Sequence, residues 1–158
     1  MTKVLALALL ALPALLLTLA GCNLLPLPTA PPQGDVAARA LFQRGVWRSN
    51  GIDSYRFTVS RPCFCPPEWS GPFEVEVKDG QVVSVTRDGG AVGAEQVASI
   101  PKTIEAVFEV VLENTTASKI EVTYDATFGF PSQVSVDPIA NAADEEFGIT
   151  VTGFEPTG

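Results

Sequence analysis

Histidine is absent from all 158 residues, and cations are few: 10 lysines and arginines stand against 18 aspartates and glutamates, a formal net charge of −8 at pH 7. Each shortage excludes a class of function. Without histidine there is no Ser-His-Asp or Cys-His device, no imidazole metal ligand and no general base whose ordinary pKa lies near neutrality. An acidic chain lacks the basic face that a phosphate backbone demands, so no nucleic-acid partner is expected. G-x-S-x-G and H-E-x-x-H are missing, and Gly89-Gly90-Ala91-Val92-Gly93 fits neither the dinucleotide fingerprint nor the P-loop. Nothing singles out a catalytic carboxylate pair. The expectation is a protein that is not an enzyme and that carries no diffusible cofactor.

What is present begins with an address. Lys3 precedes an apolar run from Val4 to Leu17, the pattern of a signal peptide. A transmembrane anchor needs about 20 apolar residues, and length alone leaves that alternative open. The residues that follow favour the signal peptide. Leu19-Ala20-Gly21-Cys22 resembles the lipobox of bacterial lipoproteins. The resemblance implies cleavage after Gly21 and a diacylglyceryl group on the Cys22 thiol, which would supply the two acyl chains that stable anchoring requires. The competing reading is an ordinary secreted protein cut near the same place, with Cys22 free. Residues 1–21 are thus expected to be removed, taking with them one cation, Lys3, and much of the apolar content. Residues 22–34 hold the lipidated cysteine and a tether with four prolines, Pro26, Pro28, Pro31 and Pro32. Twelve residues of polyproline II at about 3.1 Å each would span roughly 37 Å. The expected location is the bacterial cell envelope, with the membrane as a partner through the lipid and the protein facing the periplasm or the exterior.

Residues 35–158 read as one α+β domain, with two helices packed on an antiparallel sheet in the order αβββαβββ. Asp35 suits the cap of a helix reaching about Ser49, and Asn50-Gly51 suits its end. Tyr55, Phe57 and Val59 alternate with polar residues, as do Phe73, Val75 and Val77, and a third strand runs from Gln81 to Thr86. A two-residue Asp79-Gly80 turn would set Val75 opposite Ser84. A three-residue loop, Lys78-Asp79-Gly80, sets Val75 opposite Val83 and Phe73 opposite Val85, so the hydrophobic pattern favours the longer loop. Pro101 suits the first turn of a second helix carrying Ile104, Val107, Phe108, Val111 and Leu112. Strands around Ile120 to Tyr124, Val134 to Val136 and Phe147 to Val151 complete the set.

Several stretches together resemble a family of small bacterial lipoproteins carrying a domain of unknown function (the 6174 type). They are Tyr55-Arg56-Phe57, Cys63-Phe64-Cys65-Pro66-Pro67, Val77-Lys78-Asp79-Gly80, Val122-Thr123-Tyr124-Asp125, Gly129-Phe130-Pro131 and the run from Asp137 to Glu146. The resemblance spans about Trp47 to Val151. It implies an envelope location and brings no activity, cofactor or partner.

Three features are candidates for chemistry. With Cys22 lipidated, Cys63 and Cys65 remain as an even pair. They read as a disulfide closing a very small ring, as a reduced pair packed like small apolar groups, or as a redox-active or soft-metal site. The last reading makes the chain a thiol/disulfide redox accessory, although two sulfurs alone make an incomplete metal site. Asp137, Asn141, Asp144, Glu145 and Glu146 crowd one segment with hard oxygen ligands, a pattern that admits Ca²⁺. Their spacing matches no EF-hand, and solvated loop acids are the plainer reading. Trp69, between Pro67 and Pro72, reads either as a binding anchor in an exposed loop or as a lid folded back on the sheet. The function expected from all this is a lipid-anchored binding or structural module whose partner is an envelope protein or a cell-wall component. The runners-up are the redox accessory and a calcium-binding module.

Overall fold

The computed structural model describes residues 34–142 and 144–158. The leader, Cys22 and all of the tether but Gly34 lie outside the described residues. No helix among the described residues is long and apolar enough to cross a membrane.

The fold is α+β. Helix α1 runs Val36–Ser49, strand β1 Tyr55–Ser60, the single helical turn α2 Pro67–Ser70, β2 Phe73–Lys78, β3 Gln81–Arg87 and the two-residue β4 Gly90–Ala91. Helix α3 spans Ile104–Glu113, followed by β5 Lys119–Tyr124, β6 Pro131–Asp137 and β7 Phe147–Pro156. All seven strands form one sheet in the order β4-β3-β2-β1-β7-β6-β5, and the paired neighbours are antiparallel. Each half of the chain is a meander. The two meanders meet where the first strand lies against the last.

Helix α1 starts where the sequence places it. The Asp35 carboxylate accepts from the Ala38 N–H at 2.8 Å, and Gly51 follows the Asn50 cap in the left-handed region. Helix α3 starts later than Pro101 would have it. The Thr103 hydroxyl accepts from the Ala106 N–H at 3.0 Å, so the cap is Thr103 and Pro101 lies outside the helix. Ile104, Val107, Phe108 and Val111 follow at i, i+3, i+4 and i+7, and all four are fully buried. The core joins them to Tyr55, Phe57 and Val59, to Phe73, Val75 and Val77, and to Val134, Val136, Ile149 and Val151. The alternate residues of the same strands, among them Arg56, Thr58, Glu74, Glu76, Gln133 and Ser135, turn to the uncovered face.

The β2–β3 hairpin differs from the sequence expectation. The β2–β3 connection is the two-residue turn: Lys78 pairs with Gln81 and Val77 with Val82. Both turn residues have positive φ, Asp79 at 50° and Gly80 at 74°, as a type I′ turn requires. The ladder then slips by one residue, and Glu76 faces Ser84 while Val75 faces Val85. Neither expected pair, Val75 with Val83 or Phe73 with Val85, forms: a bulge at Val83 absorbs the extra residue instead of the loop and leaves Val83 exposed. A second bulge lies in β7. Arg56 faces Glu155 and Thr58 faces Thr152, so Gly153 and Phe154 both stand against Phe57. Gly153, at φ 58°, supplies the left-handed residue. The bulge carries Phe154 into the core, with its ring 5.6 Å from Trp47 and 4.8 Å from Phe130.

The two long helices are stapled by charge. Glu105 accepts from Arg44 Nε at 2.7 Å and from Arg48 Nη2 at 2.8 Å, and Arg44 also reaches Glu109. The Arg48 and Arg44 guanidiniums hold the Glu105 carboxyl below its ordinary range despite some desolvation. A carboxylate whose folded pKa is depressed contributes stability that is present above the unfolded value and lost as pH falls through the folded one. Glu105→Gln is therefore expected to lower the urea midpoint at pH 7. The gap from wild type should narrow below about pH 4, as the wild-type carboxyl protonates. A gap constant from pH 7 to pH 3 would show that the charge contributes nothing.

Candidate functional site

Pro62 and Pro66 bracket the segment after β1, and neither can donate a ladder hydrogen bond, so the strand stops at Ser60 and the chain leaves the sheet. The excursion is fastened at its base. Arg61 N–H donates to Ser70 O at 2.7 Å, Gly148 N–H donates to Pro62 O at 2.8 Å, and Cys63 stands opposite Phe147. The Arg61 guanidinium covers the Phe147 ring at 4.8 Å. On the other side Trp69 N–H donates to Pro66 O at 2.9 Å, and Arg87 Nη1 donates to Pro67 O at 3.3 Å.

Cys63 and Cys65 are joined as a disulfide, with their Cα atoms 5.3 Å apart. Phe64 is the residue enclosed by this ring, and it is 81% exposed. Trp69, on α2, is 41% exposed. Two aromatic side chains thus stand out from one braced loop. An apolar ring of this exposure has no folding role to explain it, and a tethered aromatic loses little entropy on being captured by a partner. The chain enters the fold at the same end of the sheet. Val36, at the start of α1, lines a hollow with Ile120 and Glu121 of β5, whereas the far end of the helix meets Phe128 through Asn50.

The acidic run does not converge. Asp137 is fixed in β6 opposite Lys119, Asn141 and Asp144 occupy left-handed turn positions, and Asp144, Glu145 and Glu146 are exposed. Among the described residues no three carboxylates or thiols are grouped to hold a metal ion. Closeness in sequence does not become closeness of ligands, because the sheet holds one end of the segment and turns separate the rest.

Two further surfaces were not evident from sequence. The uncovered face of the sheet carries a shallow hollow of about 410 Å³ lined by Arg56, Thr58, Glu74, Glu76, Ser84 and Thr86, with Arg56 paired to Glu155 at 2.9 Å. A groove also runs between α1 and β5. Arg39 lies in it with its guanidinium 5.7 Å from the centre of the Tyr124 ring, and the Tyr124 hydroxyl is buried with no hydrogen-bond partner among the described residues. Burial raises that hydroxyl's pKa, and Arg39 opposes the shift. The signal for Phe64 was its place between two cysteines among prolines. No comparable signal marks Arg39, whose partner residues arrive from a distant strand.

Neither the curated proteins nor the solved structures contain a match to this chain. A match does come from a family defined by sequence, and it covers residues 39–156, from the second turn of α1 to the end of β7. By that extent the chain belongs to DUF6174, a family of unknown function.

Proposed function

We propose that the protein is a lipid-anchored component of the bacterial cell envelope that binds a partner, an envelope protein or a cell-wall component, through the Cys63–Cys65 loop. The observation that carries this reading is Phe64, 81% exposed at the tip of a disulfide-closed ring. The leader and the Leu19-Ala20-Gly21-Cys22 sequence support the anchor. A tether leaving from Gly34 sets out from the same end of the sheet as Phe64, which favours a partner close to the bilayer. An intrachain disulfide also accords with an oxidising compartment.

Two measurements test the two halves of the reading. Cells fed radiolabelled palmitate are expected to label the wild-type chain and not Cys22→Ala. Absence of label from the wild-type chain would remove the lipid anchor. A photo-crosslinking residue at position 64 should then give one dominant adduct in intact cells. The same residue at Val83, exposed on the β2–β3 hairpin at the opposite end of the sheet, should not. Identical adducts from both positions, or none from position 64, would remove the loop as the binding site.

A further inference from the structure

Strand β5 ends the sheet, so among the described residues one edge of its six-residue backbone has no partner strand. Such an edge is a template for another extended chain unless it is shortened, charged, bulged, broken by proline or covered, and the two charges of β5, Lys119 and Glu121, are paired with each other. The edge at the other end of the sheet is shortened, since β4 has only two residues. The β5 edge contains no proline, and its single register shift lies at its far end, between Thr123 and Tyr124.

Beside this edge, between β5 and α1, lie two adjoining hollows of about 450 Å³ and 360 Å³, which share Arg39, Val122 and Tyr124. Val36, Ile120 and Val122 make part of the floor apolar. Two acidic side chains also line the groove, and both are engaged elsewhere. Asp125 Oδ1 accepts from the N–H groups of Thr127 and Phe128 at 2.9 and 2.7 Å, and Glu121 pairs with Lys119 at 3.2 Å. Arg39 is half-buried and makes no ion pair among the described residues. The next two arginines of the same helix, Arg44 and Arg48, are both held by carboxylates of α3. Of the nine described cations Arg39, Arg61, Lys78, Arg87 and Lys102 make no ion pair, and of these five Arg39 is the one that lines this groove. The Tyr124 hydroxyl beside it is a second unmet polar group, of the kind that a buried site normally satisfies.

We propose that this groove receives an extended peptide segment of a partner protein, which adds to the β5 edge as a further strand. A carboxylate of that segment, from an acidic side chain or from its own C-terminus, would sit against Arg39 and the Tyr124 hydroxyl. Main-chain pairing along β5 supplies affinity that does not depend on sequence, and the groove under α1 takes alternate side chains. The Arg39–carboxylate pair sets register and selects the ligand by charge. This site is separate from the Phe64 loop, and each can fail without the other.

The test uses the full chain in detergent micelles and two libraries of random decapeptides, one with free and one with amidated C-termini. Selected peptides are expected to share a carboxylate, fixed either at one internal position or at the free C-terminus; the second outcome identifies the terminal group as the source. Removing that carboxylate, by Glu→Gln or by amidation, should weaken binding at least tenfold, and so should Arg39→Gln. The two changes combined should cost little more than either alone. Tyr124→Phe, which keeps the ring, should weaken binding severalfold, and amide shifts on titration should concentrate on 119–124. Phe64→Ser should leave this binding unchanged. Libraries that yield no shared carboxylate, or peptides whose affinity Arg39→Gln and Tyr124→Phe both leave within twofold in folded protein, would overturn the proposal. So would concentration-dependent dimerisation that shifts the same amides without peptide, because the edge would then belong to a second copy.

Discussion

Trp47→Ala is expected to destabilise the fold by about 3–5 kcal/mol, the cost of emptying a large aromatic site. Trp47 is 4% exposed and meets three rings edge-on: Tyr55 at 5.6 Å, Phe130 at 6.0 Å and Phe154 at 5.6 Å. Edge-to-face pairs add about 0.5–1.5 kcal/mol each beyond their buried area. The three rings come from β1, from the residue just before β6 and from the β7 bulge, so alanine here loosens the helix from both meanders at once. Urea denaturation gives the value. Leu41→Ala, on the same helix but 57% exposed, is the control and should stay within about 0.5 kcal/mol of wild type. A Trp47→Ala loss below about 1 kcal/mol would mean that the surrounding rings collapse into the gap, contrary to the packing described.

Gly129→Ala is expected to cost roughly 2–4 kcal/mol, from two sources that can be separated. Gly129 has φ 80°, where a side chain is strained, and a Cβ there would lie 2.9 Å from Val46 Cγ1 and 3.0 Å from Gln43 Oε1. Gly80 has φ 74° and open space around its Cα. Gly80→Ala should therefore show the backbone part alone, about 1–2 kcal/mol. Adding Val46→Ala to Gly129→Ala should recover part of the difference, because it removes the methyl that the new Cβ meets. Equal losses at the two glycines would show that the contact with α1 is unimportant.

Much of the fold was legible because local chemistry and burial agree. Asp35 caps the helix it precedes, and Tyr55-Phe57-Val59 and Phe73-Val75-Val77 alternate as half-buried strands must. The misreadings share a cause. Period-two reasoning assumes an unbroken ladder, and both bulges break it. At Val83 the break conceals a two-residue turn, and at Gly153 it hides Phe154, whose parity counted from Val151 points outward. The elements α2 and β4 are too short to leave a pattern. Nor does alternation say which edges of two meanders meet, since the strands of both halves present similar faces. The candidate sites divide in the same way. Cys63 and Cys65 are neighbours in sequence and could be read directly as a pair, whereas Phe64 between them stands out only once its exposure is known. The acidic run from Asp137 to Glu146 is also local, yet the sheet and its turns disperse it. Arg39 and Tyr124 meet only because α1 lies across the last strand of the sheet.

The seam between β1 and β7 has a consequence for the order of events during synthesis. Of the seven described strands, the first to leave the ribosome is central to the sheet, and its neighbour on one side is the last of them to be made. Until residues 147–156 emerge, the inward side chains of β1 have a partner strand on one flank only, and Trp47 lacks Phe154. The first meander alone cannot close the core. A chain cut short before β7 would lose the strand that joins its two halves, whereas one cut before α1 would keep all seven described strands.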